Sequence, residues 1–167
     1  ELFPKLCDTY CPIGQTSKST FGAEIPIGAV VADQQSGMFA HNALERGKWK
    51  ANYGTSAAMM VSTGATPVLA PGLLPMLLSA AGDETLFALE GMVISAGALL
   101  DGVVGDLGLF GSVEELSAAA ASVDSSHGVF IRPALQGIGA PHHDSNARAA
   151  ILGLSGASTP AHIARAS

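Results

Sequence analysis

Positive charge is scarce in this sequence. Eight Lys and Arg face fourteen Asp and Glu, a formal charge of −6, and the cations are scattered from Lys5 to Arg165 without forming a basic stripe. A protein that grips nucleic acid needs such a stripe to neutralise phosphates, so that class is excluded. Long apolar runs are lacking too. The longest uncharged apolar stretch, 66–82, is broken by Pro67, Pro71 and Pro75, and a membrane-spanning helix needs roughly 20 unbroken residues. Cysteine is nearly absent. Cys7 and Cys11 stand at C-x3-C spacing with no second pair to complete a zinc site, so no metal site is expected there. Two idle thiols and no visible targeting segment set the expectation of a cytoplasmic protein.

Two catalytic signatures are missing. Gly47-Lys48 lacks both the earlier glycine and the following Ser or Thr of a phosphate-binding P-loop. "GLSGAS" has the wrong spacing for the nucleophile elbow of a serine hydrolase. Repeats and low-complexity segments are absent as well.

What is present begins with 167 residues, enough for one domain with a core and short for two. Residues 12–24 read as a polar loop, 25–32 as a strand, and "QQSGMFAHNAL" as a short helix after it. The stretch 47–64 reads as a β-hairpin around "YGTS", and 72–90 as two strands joined by "AGDE". Met92, Ala96, Leu99, Leu100, Val103, Val104 and Leu107 fall at steps of three and four, the spacing of one face of an amphipathic helix. Ser112 and Glu115 form a capping box before the alanine-rich "VEELSAAAASV". "GVFIRPAL" and "AAILGLS" are strand-like across the loop "QGIGAPHHDSNAR". Thr159 and Pro160 open a last helix that runs off the end uncapped. Opening on Glu1 and closing there, the chain reads as a piece of a larger protein. Strands, helix, strands and helix in that order make a mixed α/β or α+β arrangement.

Few residues invite chemistry. Asp33 stands at the end of the apolar run "IPIGAVVA", where α/β proteins open their binding crevices, and Gln34 and Gln35 add polar arms suited to a hydroxylated ligand. Equally, Asp33 suits a cap for the following helix. Gly54 lets the backbone approach a ligand, and Thr55 and Ser56 offer hydroxyls to phosphate oxygens, or the four residues are a plain turn. Gly97 costs about 1 kcal/mol relative to Ala within a helix, so another element or a ligand needs its missing side chain. His142-His143-Asp144 reads as a solvated loop.

Four ordered blocks carry a resemblance: "IPIGAVVADQQSGMF", "KANYGTSAAMMVSTG", "FALEGMVISAGALLD" and "VFIRPALQGIGAPHHDSNARAAILGLSGASTPAHIARA". Together, from about Pro12 onward, they resemble the central part of the FGGY carbohydrate kinases, and most of all the branch that phosphorylates glycerol. The resemblance implies a partial actin-like ATPase (ribonuclease H-like) α/β fold. Residues 1–41 would be the end of the first domain, and 42–167 a truncated second domain on the nucleotide side. It also implies ATP with Mg²⁺ and a small-molecule polyol as partners, and leaves room for a homo-oligomer of the full-length protein. Asp33 would be the catalytic base, and Gln34 would hydrogen-bond the acceptor's hydroxyls. Thr55 would meet the phosphates of ATP with Gly54 giving access, and Gly97 would let its helix lie against the nucleotide.

Departures from the family's pattern narrow this. Ser56 and Ala58 stand where the family shows glycine and an aromatic that lies against the glycerol carbons. Asp101 replaces a glutamine on the nucleotide-facing helix, Gly102 a tryptophan, and His142-His143 an aromatic pair. Ala58 favours the alternative of a sister kinase acting on xylulose, ribulose or gluconate. A non-catalytic actin-like module is the other alternative, and retention of Asp33 beside Gln34 argues against it. The first domain's phosphate loop and the adenine-binding end of the second domain lie outside these 167 residues, so the piece alone is expected to bind ATP weakly and turn over nothing measurable.

Overall fold

Backbone pairing, more than burial, shapes the first part of the chain. The computed structural model describes residues 2–167. In it Tyr10–Gln15 (β1) runs antiparallel to Pro26–Ala29 (β2), with Tyr10 opposite Ala29, Gln15 opposite Pro26 and a bulge between Tyr10 and Gly14. One helical turn, Lys18–Phe21 (α1), fills the connection and ends on Gly22 in the left-handed region. The expected polar loop over 12–24 therefore opens in a strand, through Gln15, and holds a helical turn. Its composition is loop-like, but the ladder to β2 overrides local preference. The expected strand over 25–32 is shorter than its apolar run. It stops at Ala29, and Asp33–Ala40 (α2) begins directly after Ala32.

The hairpin expected over 47–64 appears as Trp49–Tyr53 (β3) and Ala57–Gly64 (β4), and the next pair as Leu74–Ala81 (β5) and Glu84–Val93 (β6). They form a four-stranded sheet in the order β3-β4-β6-β5. β5 and β6 are antiparallel from Leu74 opposite Glu90 to Ala81 opposite Glu84.

The chain divides into two compact units, Glu1–Lys50 with Met59–Glu90, and Ala51–Ala58 with Gly91–Ser167. The first has a core of Met38, Ala43, Met60, Leu78 and Ala88, contributed by α2, the connection after it and the strands β4, β5 and β6. The second contains Gly97–Asp101 (α3), a π-helical turn Gly102–Asp106, Val113–Ala121 (α4), the antiparallel pair Phe130–Arg132 (β7) and Ala150–Leu152 (β8), and Pro160–Ala166 (α5). Its core is Leu99, Val103, Phe110, Leu116 and Ala164.

The helix face expected to begin at Met92 begins later. Met92 and Val93 close β6, and the helix starts at Gly97. Pairing to a neighbouring strand claims these residues before helical periodicity can. From Leu99 to Val104 the expected face does pack inward, but the π-turn, closed by Leu107 N–H to Gly102 O at 2.9 Å, leaves Leu107 exposed. The uncapped end of α5 is also corrected, because Ser167 Oγ donates to Ile163 O at 2.9 Å. Among the described residues no helix is long and apolar enough to cross a membrane.

The N-terminus of α4 shows why a sequence capping box is an approximation. Ser112 Oγ accepts from Glu115 N–H at 3.2 Å, but Glu115 reaches back to Gly111 N–H at 2.6 Å, one residue before the cap. Glu114 is held below its ordinary pKa of 4.5 by its own backbone N–H and then by the Ser112 hydroxyl, the expected preference for negative charge at a helix start. A depressed carboxyl pKa stabilises the fold above the unfolded value and loses that contribution as pH falls through the folded value. Glu114→Gln is therefore expected to lower Tm in solution well above pH 4.5, with the difference vanishing in stronger acid. Paired thermal melts across that range check it.

Candidate functional site

The sequence-predicted residues fall into two clusters, one in each unit. In the first, the short β2–α2 connection presents Asp33 as the opening residue of α2, exposed, with Oδ1 accepting from Gln34 N–H at 2.8 Å and its main-chain O from Ser36 Oγ at 2.8 Å. The N-cap is Ala32 and not Asp33, so the expected capping role is corrected; a carboxylate in the first turn is still favoured by the helix dipole. Gln34 is half-buried, and its Oε1 accepts from Lys50 Nζ. Gln35 points elsewhere, donating through Nε2 to Leu77 O at 3.1 Å, with its Oε1 buried and unpartnered.

Lys50 is the residue that sequence reasoning missed. It is only 6% exposed, although the sequence shows it as one scattered cation among eight. Strand alternation carries a weak signal, since Trp49 beside it is exposed and successive side chains take opposite faces. Gly37 packs beside it: a Cβ there would stand at van der Waals distance, 3.4 Å from Lys50 Cε and Nζ.

In the second cluster the structure brings Gly54, Thr55 and Gly97 together. The turn between β3 and β4 closes with Gly54 N–H to Ser56 O at 2.9 Å. Three amides at the start of α3 then dock on it: Gly97 N–H on Gly54 O at 2.9 Å, and Ala96 and Ala98 N–H both on Thr55 O at 3.0 Å. A Cβ on Gly97 would sit 2.7 Å from Gly54 O, so the missing side chain is the condition for this seam. Thr55 is exposed, with its hydroxyl chemistry suited to phosphate oxygens. Asp101, exposed at the end of α3, brings a carboxylate that repels phosphate and suits a hydroxyl or a cation. Ala58 is buried at 5% exposure in β4.

Two further features bear on chemistry. An apolar cavity of about 270 Å³ in the second unit is lined by Leu99, Gly102, Val103, Ile131, Leu135 and Ala150, with Asp106 as its one carboxylate, a lining unsuited to polyphosphate. Among the described residues no group of three or more His, Cys, Asp or Glu is placed to hold a metal ion. Mg²⁺, which the resemblance implies, commonly binds through substrate phosphates and water with one or two carboxylates, so it needs no such group, and the exposed Asp101 in the second unit is a carboxylate compatible with that mode.

Comparison with known proteins gives a consistent outcome. Residues 49–167 match the C-terminal domain of the FGGY family of carbohydrate kinases. A glycerol kinase of Thermus brockianus is 41% identical over 166 residues, covering 99% of this chain and 33% of that protein. A glycerol kinase of Rhodopirellula baltica is 38% identical over 167 residues, covering 99% and 31%. The crystal structure of Plasmodium falciparum glycerol kinase with ADP superposes with a TM-score of 0.83 at 26% identity, over 95% of this chain and 32% of that one. The chain spans about a third of the length of the curated relatives it matches.

Proposed function

The chain belongs to the FGGY family of carbohydrate kinases and has part of their actin-like fold, and on that premise we propose that the full-length protein transfers a phosphoryl group from ATP to a polyol hydroxyl, with glycerol as the acceptor. The observation that carries the reading is the exposed Asp33 carboxylate at the head of α2, with Gln34 beside it.

Asp33 receives the acceptor hydroxyl as a hydrogen-bond donor and aligns its oxygen for in-line attack. A carboxylate is too weak a base to ionise a free alcohol. It need not do so where the transition state is loose, because the hydroxyl becomes acidic only as its new bond forms. Asp33 therefore orients first and takes the proton late. Gln34 holds the acceptor's hydroxyls. Thr55 donates to the phosphates, Gly54 gives the backbone access, Gly97 seats α3 at the nucleotide, and Asp101 serves a ribose hydroxyl or a bound cation. Mg²⁺ supplies neutralisation of phosphate charge when bound. In domain terms, residues 1–41 bring the base and 42–167 the nucleotide side.

One observation favours a second reading. Ala58 provides no aromatic surface for the carbons of glycerol, and one buried aromatic is worth roughly 1.5–3 kcal/mol. A sister activity on xylulose, ribulose or gluconate is the alternative. ATP consumption by the full-length protein against glycerol, xylulose, ribulose and gluconate tests both. The expected result is the highest kcat/KM with glycerol. A preference for a ketose or sugar acid moves the assignment to the sister activity, and no turnover with any acceptor overturns the kinase reading in favour of a non-catalytic module.

A further inference from the structure

We infer that Lys50 is a positioning residue that fixes which end of the Gln34 amide faces the acceptor. The inference rests on the reading of Asp33 and Gln34 as the acceptor site. A side-chain amide has one accepting and one donating end, and a free glutamine can present either. An ammonium group has three donors and no acceptor, so the atom that Lys50 Nζ meets can only be the carbonyl oxygen, Oε1. With Oε1 held, the amide is locked, and the Nε2 hydrogens are the groups Gln34 has left to offer.

That orientation complements Asp33. A hydroxyl can donate one hydrogen bond and accept others. A carboxylate at Asp33 accepts the proton, and an Nε2 donor at Gln34 occupies a lone pair on a hydroxyl oxygen. The pair thus orders the acceptor's O–H bonds, with protons toward position 33 and lone pairs toward position 34. Were Gln34 flipped, both side chains would present acceptors to the same hydroxyls, and the two would compete for one proton. Burying a cation is costly and is not required for stability, since replacement by an apolar group of similar volume is often neutral or stabilising. Lys50 is nonetheless buried to 6% exposure, with its Nζ on Gln34 Oε1. The role proposed here accounts for keeping it.

Two variants of the full-length enzyme test this by different routes. Lys50→Met keeps an unbranched side chain one atom shorter and removes the donors. The expected result is a rise of about five- to tenfold in KM for glycerol, the size of one hydrogen-bond interaction, with KM for ATP unchanged and Tm unchanged or higher. Gln34→Glu keeps an oxygen for Lys50 but has no N–H at all. The same rise in glycerol KM is expected, with Tm held or raised. For both variants the penalty should disappear with whichever of propane-1,2-diol and propane-1,3-diol lacks the hydroxyl that Gln34 serves. A purely structural role for Lys50 would instead lower Tm and leave the glycerol penalty the same with every acceptor. If Lys50→Met does not fold, Gln34→Glu decides alone. A glycerol KM within twofold of wild type in Gln34→Glu, or in folded Lys50→Met, overturns the inference while the kinase reading stands. A wild-type enzyme that phosphorylates none of the acceptors overturns that reading and this inference with it.

Discussion

Asp33→Asn in the full-length enzyme is expected to lower kcat with glycerol by about 10²–10⁴-fold, the contribution of a positioned general base. That corresponds to roughly 3–5 kcal/mol of transition-state stabilisation. KM for ATP should stay near wild type, and KM for glycerol should change less than kcat, because the amide keeps a polar group in place and loses chiefly the ability to take a proton. Stability is a sensitive control here. Asp33 is exposed, and its Oδ1 accepts from Gln34 N–H at 2.8 Å. An asparagine oxygen can make the same bond, so only a small part of the helix-start interaction is lost. A large fall in kcat at unchanged Tm separates chemistry from folding. A rate within about tenfold of wild type would remove Asp33 from the role of base, and the exposed acid would then be a helix-start residue and nothing more.

The strand-to-helix boundary that carries Asp33 and Gln34 was legible in the sequence, because both follow an apolar run that had to end somewhere. The strand ends at Ala29 instead of Ala32, and Gln35, read as a second polar arm, turns to Leu77 O. Lys50 was not legible. Its side chain meets an amide sixteen residues earlier in the chain, and that relation has no local signature. Gly97 was half legible. The cost of a glycine at a helix start announces that something needs the space, but the sequence does not say that the occupant is the carbonyl of Gly54. Met92 shows the opposite failure, a periodicity that is present and misleading. Its spacing continues the helix face, while β6 runs through Val93 and takes Met92 with it. Residues 10–15 went unread as a strand because Pro12 and Gly14 lower local preference, and only the partner strand supplies the ladder.

The same crowding at Gly97 makes a prediction in the second unit. Gly97→Ala is expected to lower kcat/KM for ATP by about 10²-fold, the cost of shifting a positioning group by about an ångström. A Cβ there would lie 2.7 Å from Gly54 O and 3.3 Å from Gly54 C, and both are backbone atoms that cannot rotate away. Either α3 or the turn must move. The three amide bonds that join them, from Ala96, Gly97 and Ala98 to the carbonyls of Gly54 and Thr55, are strained together. Overpacking of this kind costs about 1–3 kcal/mol, while the helix-propensity gain from alanine is at most about 1 kcal/mol, so the net change is destabilising. Thr55 moves with the turn, and its hydroxyl leaves the position from which it is proposed to serve the phosphates. Gly105→Ala is the matched control. It lies in the π-helical turn after the same helix, no atom comes within 4 Å of its added Cβ, and its φ is not in the left-handed region. There the added methyl is expected to leave kcat/KM for ATP unchanged and to raise stability by up to about 1 kcal/mol. Steady-state kinetics in ATP and thermal melts of both variants decide the point. If Gly97→Ala keeps ATP kcat/KM within threefold of wild type, the seam between α3 and the Gly54–Thr55 turn does not position the nucleotide, and the assignment of Thr55 falls with it.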